Sequence, residues 1–297
     1  MSSRLTRREM MAAGVAAWSM AGTAGMSNAA PQRNARVLFF TKSSGYEHAQ
    51  IRRGKDGSLG PAERILIELG KKHGFDVHAT KDGRVFDGDL DQYDTFVFYT
   101  TGDLTQSGTD KQPPMTARGK KAFLEAIRAG KGFVGTHSAS DTFHSSGPRN
   151  QNQTQRDPYI EMLGGEFVTH GRQQQATMRV VDGAFPGMER AGRSFTMREE
   201  WYALKNFAPD LHVLLVQETS TMQGKMYERP PYPATWARRH GKGRVFYTSM
   251  GHRADVWTNP LFQSIFVGGI RWACGLVEAD VPPNLKRVCP HAEQLGS

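Results

Sequence analysis

Cysteine is scarce: two thiols, Cys274 and Cys289, stand in 297 residues. Neither has the neighbours expected of a nucleophile, and no C-x-x-C or H-E-x-x-H spacing offers a compact metal motif. Beyond the first thirty positions no run of 18 apolar residues occurs, so the rest of the chain is not expected to span a membrane. Blocks of Lys or Arg are missing too. The formal net charge is +9; Arg4, Arg7, Arg8 and Glu9 supply part of it, and the remainder is scattered without an aromatic-basic motif. That argues against nucleic acid as a partner and leaves a solvated, mildly basic surface. No internal repeat occurs. What is present, 38% hydrophobic and 23% charged residues, suits a globular chain able to bury a core and excludes a disordered or collagen-like one.

The amino terminus reads as an address. Thr6-Arg7-Arg8-Glu9-Met10-Met11 opens a weakly apolar stretch from Ala12 to Met26, and Ser27-Asn28-Ala29 offers small residues where a signal peptidase reads them. This resembles a twin-arginine export signal, which places the protein in the periplasm or outside the cell. Residues 1–29 are therefore set apart as a signal peptide, 30–279 as one α/β domain and 280–297 as a tail. An oxidising compartment would permit a disulfide between Cys274 and Cys289, provided their Cα atoms come close enough.

The mature chain alternates two patterns. Short apolar or β-branched runs at 36–40, 75–79, 94–100 and 132–136 read as buried strands. Between them, 61–73 opens on Pro61 and stops at Gly74, and 116–129 stops at Gly130, as helices do. Continuous apolar strands alternating with amphipathic helices predict a doubly wound, mostly parallel sheet covered by helices on both faces. Residues 144–156 are polar and aperiodic, predicting a long surface loop that could serve as a lid. Further strands are expected at 175–181, 211–216, 234–238 and 244–248, with a closing helix over 260–274 and a tail wrapping the surface.

In such sheets ligands bind outside the carboxyl ends of the strands. His48 falls in the loop after the first strand, Asp103 after the third, His137 directly after the fourth, and His252 after 244–248. Asp141, four residues beyond His137, shares its face if a helix starts there. Titratable groups gathered at one sheet edge are costly for stability and point to chemistry. Gly135-Thr136-His137-Ser138-Ala139 has the form of a strand-to-helix elbow, where related folds carry a Ser or Cys nucleophile. Here the elbow residue is His137. Ser138 lacks the G-x-S-x-G frame, so a serine hydrolase ranks last, and without a thiol glutamine amide cleavage is excluded.

These segments resemble the ThuA-like (trehalose utilisation) family, which shares the class I glutamine amidotransferase-like, flavodoxin-like fold without its catalytic cysteine. The marks are Thr41-Lys42-Ser43-Ser44-Gly45-Tyr46-Glu47-His48, Thr100-Thr101-Gly102-Asp103 and Gly130 to Asp141. Gly164-Gly165-Glu166-Phe167-Val168-Thr169-His170, Glu199-Glu200-Trp201-Tyr202, Gly243 to His252 and Gly268 to Ala273 complete the series. The resemblance implies His48, Asp103, His137, Asp141, His170, Glu200 and His252 as site candidates. It also implies disaccharide or glycoside catabolism at the level of 3-keto sugars, supplied by a partner sugar dehydrogenase.

Imidazoles and carboxylates suit proton transfer next to a ketone, followed by isomerisation or by elimination of the glycosidic group. A divalent ion, zinc or another imidazole-preferring metal, held by members of His48, His137, His170 and His252, would polarise the carbonyl. No nucleotide cofactor is expected. Glu199 and Glu200 are adjacent, so on a strand they face opposite sides; Glu200 is taken as the one facing the site. Trp201, Tyr202, Phe143 and Trp257, with Trp236 nearby, are candidate platforms for sugar rings. The competing reading is a non-catalytic carbohydrate-binding protein that uses the same pocket.

Overall fold

The computed structural model describes residues 34–296; the proposed signal peptide lies outside the described residues. Strand β1 (Ala35–Phe40) leads through a loop to helix α1 (Pro61–His73), then β2 (Phe75–Thr80), β3 (Thr95–Phe98), α2 (Ala117–Ala129) and β4 (Gly132–Thr136). There follow α3 (Pro158–Leu163), β5 (Glu166–His170), β6 (Gln174–Val180), β7 (Ser194–Glu199), β8 (Tyr202–Lys205), β9 (His212–Glu218), β10 (Tyr232–His240) and β11 (Gly243–Thr248). Helices α4 (Ala254–Trp257), α5 (Pro260–Ala273) and α6 (Leu285–Val288) close the chain.

Over the described residues nine strands form one sheet in the order β2-β1-β3-β4-β11-β10-β9-β6-β7, and β5 pairs with β8 in a second, small sheet. The first five strands run parallel. The other four continue the sheet antiparallel. This is the predicted α/β fold, with an antiparallel extension and a small sheet that the residue pattern did not distinguish. The chemistry of the ends explains the helices. Glu63 folds back to accept the Gly60 N–H at 2.8 Å, and Gly74 closes α1 at φ 81°, a left-handed conformation glycine adopts without a Cβ penalty. Thr116 caps α2 through the Gly119 N–H.

The parallel strands are buried on both faces. Val37, Phe39, Val97 and Val134 pack with α1 and α5 on one side, while Leu38, Phe40, Phe96, Phe98 and Phe133 pack with α2 and α3 on the other. Cys274 joins the first cluster and Cys289 the second. Both are free thiols, and burial pushes Cys274 up to about 11 and Cys289 up to about 12. A disulfide between them is thus not part of this structure.

Two loop expectations change. Residues 144–156 do form a loop, but not a free lid: Lys205 Nζ donates to the carbonyls of Pro148 and Gln151 and to Gln153, and Asn206 and Gln153 bond each other. The tail does more than wrap the surface. Asn284 bonds both backbone groups of Val213, and Leu285, Cys289 and Ala292 are buried in the core.

Candidate active site

Three parallel strands end in the loops that carry the imidazoles. At β4 the chain turns at once into a short 3-10 segment, His137–Asp141, and His137 takes φ 46°, a left-handed conformation that costs a non-glycine residue roughly 1–2 kcal/mol. Surrounding contacts impose it. The Tyr247 hydroxyl donates to the His137 carbonyl at 2.8 Å, and the His137 ring is fixed through Nδ1, 3.0 Å from the Ser249 carbonyl. A carbonyl only accepts, so Nδ1 carries a proton, and Nε2 points to His252 and Glu200.

His252 meets it there. Its Nδ1 is 3.2 Å from His137 Nε2 and 3.0 Å from Glu200 Oε2, which in turn lies 3.5 Å from His137 Nε2. The His252 turn is held from behind. Tyr99 Oη and Trp257 Nε1 both donate to the Gly251 carbonyl, and buried Glu199 accepts the N–H groups of Gly251, His252 and Glu200. The adjacent carboxylates therefore divide the work: Glu200 faces the cavity, and Glu199 ties its backbone to that of His252.

His48 completes the group. It is buried, its Nδ1 has no hydrogen-bond partner, and its ring centroid lies 4.9 Å from that of His137 and 5.2 Å from that of His252. Burial, then the neighbouring rings of His137 and His252, hold its pKa well below the usual histidine range, so it stands neutral with a lone pair to offer. Burial opposes the charge of Glu200, but hydrogen bonds from His137 and His252 outweigh it and keep the carboxylate ionised well below its ordinary range. Among the described residues, His48, His137, Glu200 and His252 each present a ligand atom, all within 4.8 Å of one another.

This donor set fits a divalent cation. A tetrahedral zinc centre with Zn–N bonds of about 2.0–2.1 Å sets its ligand atoms roughly 3.3 Å apart; those of His137, His252 and Glu200 lie 3.0–3.5 Å apart, and with His48 the whole set lies within 4.8 Å. Two ring nitrogens so close need a proton or a cation between them, and the unpartnered nitrogen of His48 is the kind of buried polar atom a ligand would satisfy.

The cluster borders a cavity of about 420 Å³ lined by Tyr46, His48, Asp141, Phe167, His170, Gln173, Glu200, Tyr202 and His252. A neighbouring cavity of about 390 Å³ shares Tyr46, Gln173 and His252. His170 stands at the rim, outside the four-ligand group, with Nδ1 3.0 Å from the Gly171 carbonyl and 3.4 Å from Glu200 Oε1. Both partners accept, so Nδ1 is a donor.

Other expected site residues lie elsewhere. Asp103 is exposed and caps its own turn through Thr105. Asp141 lines the cavity but is not paired with His137; the 3-10 geometry turns its carboxylate to His144, 2.7 Å away. Of the aromatics, Tyr202 lines the cavity, whereas Trp201, Trp236 and Trp257 are fully buried with their N–H groups on backbone carbonyls. Phe143 is buried beneath Lys120. These four are core residues, the three indoles each with a satisfied N–H. Ser138 Oγ is buried with no hydrogen-bond partner, so no triad serves it. Tyr46, Phe167, Gln173 and the supporting Glu199 were missed. Tyr46 is legible in hindsight, since an aromatic two residues before His48 shares its loop.

The family described as ThuA, trehalose utilisation, matches residues 36–273. Two solved structures described as ThuA-like proteins share the fold. One, from Bacteroides uniformis, is 19% identical over 84% of this chain and 94% of its own, with a TM-score of 0.59. The other, from Parabacteroides merdae, is 18% identical over 90% of this chain and 97% of its own, with a TM-score of 0.54. No curated protein matches the sequence.

Proposed function

Because the chain belongs to the ThuA family of trehalose utilisation, we propose that it is an exported enzyme of disaccharide or glycoside catabolism that moves a proton beside the ketone of a 3-keto sugar. The observation that carries this reading is the convergence of His48, His137, His252 and Glu200 on one point at the wall of a cavity large enough for a sugar ring. Sugar binding alone needs no such group; imidazoles converging around an ionised carboxylate serve a cation or a proton.

His48, His137, His252 and Glu200 would hold a divalent ion, with zinc or another imidazole-preferring metal favoured over calcium. When bound, such an ion polarises a carbonyl and acidifies the neighbouring C–H. His170 is placed to take that proton: its Nδ1–H is committed to Gly171 and Glu200, and it lines the cavity. Tyr202, packed between His137 and Phe167 with ring centroids 4.2 Å from each, forms a rigid floor. In a 3-keto glycoside, loss of the proton next to the ketone allows the glycosidic C–O bond on the adjoining carbon to break. A reaction that oxidises a sugar hydroxyl must supply this substrate.

Elemental analysis of protein from the export compartment tests the centre: near-stoichiometric divalent metal, lost in His137→Ala and His252→Ala while the fold persists, is the expected result. Deuterium uptake beside the ketone of methyl 3-keto-glucoside tests the chemistry. Sugar binding with neither metal nor exchange would replace the enzyme with a carbohydrate-binding protein. Fractionation, with the amino terminus of the exported form read at Ala30, tests the address.

A further inference from the structure

Behind Asp141 lies a chain of titratable groups that the cation cluster does not use. His144 Nε2 is 2.7 Å from Asp141 Oδ1, and His144 Nδ1 is 3.1 Å from Glu166 Oε1. Glu166 is 1% exposed and fully engaged: Asn206 Nδ2 donates to Oε2 at 2.6 Å, the Ser145 N–H donates to Oε1 at 3.2 Å, and Lys205 Nζ stands 3.8 Å away. One end of this chain, Asp141, lines the candidate active-site cavity. In the middle, His144 lines a separate outer cavity of about 240 Å³ with Ser146, Gln155, Arg156 and Asp157. A carboxylate in the site, an imidazole behind it open to water, and a buried carboxylate orienting that imidazole form the arrangement by which a protein stores and refills a proton.

Resting on the keto-sugar reading above, we propose that Asp141 is the general acid of the site and that His144, oriented by Glu166, supplies its proton from the solvent side. Elimination requires such an acid, because the departing glycosidic oxygen leaves as an alkoxide unless it is protonated. The balance is closed. The site base takes the proton beside the ketone, the C–O bond breaks as the new C=C bond forms, and the proton that His144 Nε2 delivers through Asp141 passes to the leaving oxygen, releasing an alcohol. Water in the outer cavity then restores the proton to His144, and the base gives up its proton to solvent. No oxidant is consumed, since the ketone is already in the substrate.

Charge supports the assignment. Both ring nitrogens of His144 face carboxylates, so the imidazolium donates twice; burial opposes its charge, but the bonds to Asp141 and Glu166 outweigh burial and raise its pKa. Arg149, with Nη2 3.1 Å from His144 Nε2 and 3.8 Å from Asp141 Oδ1, works against the imidazolium.

Leaving-group dependence separates an acid from a strut. Methyl and 4-nitrophenyl 3-keto-glucosides are the probes, with the parent chain, His144→Gln and the near-isosteric Glu166→Gln. General acid–base catalysis contributes about 10²–10⁴-fold, so His144→Gln should lose about a hundredfold on the methyl glycoside, whose alkoxide needs a proton. Its loss on the nitrophenyl glycoside, whose anion leaves unaided, should be at least tenfold smaller. Glu166→Gln should show the same split, less steeply. Equal losses on both probes in variants with parental circular dichroism would overturn the relay while leaving the keto-sugar reading intact. Turnover of neither probe by the parent chain would overturn that reading and the acid role with it.

Discussion

The two walls of the cavity are built differently. One wall, His48, His137 and His252, comes from the carboxyl ends of parallel strands β1, β4 and β11, with His137 and His252 fixed by hydrogen bonds and His48 by burial. The other, His170, Glu200 and Tyr202, hangs from β5, β7 and β8, where the small sheet meets the antiparallel extension. His170 there is 43% exposed, against 0% for His137. A wall that must present several lone pairs to one point needs rigidity, because each misplaced ligand atom weakens the whole set. A wall that receives a substrate needs access. On the proposed reading, the parallel half together with Glu200 would hold the cation, and His170 at the rim would move the proton.

The sharpest way to break that division is His170→Ala. If the rim moves the proton, this variant keeps its metal content while carbon-bound deuterium exchange falls about 10²–10⁴-fold. Metal lost together with exchange would place His170 among the ligands and erase the division.

The tie between the walls comes next. Glu199 accepts N–H groups from Gly251 and His252 on one side and from Glu200 on the other. Hydrogen bonds to a charged acceptor contribute about 1.5–3 kcal/mol each, and removing the acceptor leaves buried donors unsatisfied, so Glu199→Ala should destabilise the chain by about 3 kcal/mol. Urea unfolding measures that loss. Metal affinity should fall with it, because both His252 and Glu200 lose their common anchor. Unchanged affinity in a destabilised variant would mean the two walls are set independently.

A pH dependence separates the relay from both walls. The raised pKa of His144 means that its ion pairs stabilise the folded chain fully below about pH 6.5, the value in the unfolded state, and that this contribution fades as pH rises through the higher folded value. The stability gap between parent and His144→Gln should therefore narrow from pH 6 to pH 9. A gap constant across that range would show His144 packing rather than pairing. The prediction does not involve the cation cluster, whose residues are unaltered in both chains.

The rigid wall was legible in the sequence and the rim largely was not. The strand-end rule located His48, His137 and His252 because parallel β-strands announce themselves as unbroken apolar runs such as 36–40 and 132–136, and each ends in a loop at the same sheet edge. The same rule misplaced Asp103: a residue after a strand end shares the edge, yet its side chain can satisfy itself locally, as Asp103 does with Thr105. Strands β5, β7 and β8, of four to six residues, escaped notice because none carries an unbroken apolar run as long as 36–40. Glu200 was placed by family resemblance and by the alternation of adjacent side chains, and Glu166 with His144 escaped because their contact is 22 residues apart in sequence. Trp257 and Trp201 drew attention as sugar platforms, but an indole whose N–H meets a backbone carbonyl can be buried whole.

The smallest effect tests the open side of the rim. Tyr46 is 66% exposed, and its ring meets the edge of His48 at 4.9 Å between the two cavities that share it. An exposed aromatic of this size loses hydration when a sugar ring covers its face, an exchange worth about 0.5–1.5 kcal/mol beyond area burial. Tyr46→Ala should therefore raise KM about 2–12-fold, by that energy at 1.4 kcal/mol per tenfold, and leave metal content and kcat close to parental. Tyr46→Phe, which keeps the face and loses the hydroxyl, should behave as the parent. A fall in kcat in Tyr46→Ala would instead show that the ring shields His48 from water. In that case Tyr46 would belong with the rigid wall, although its exposure places it at the rim.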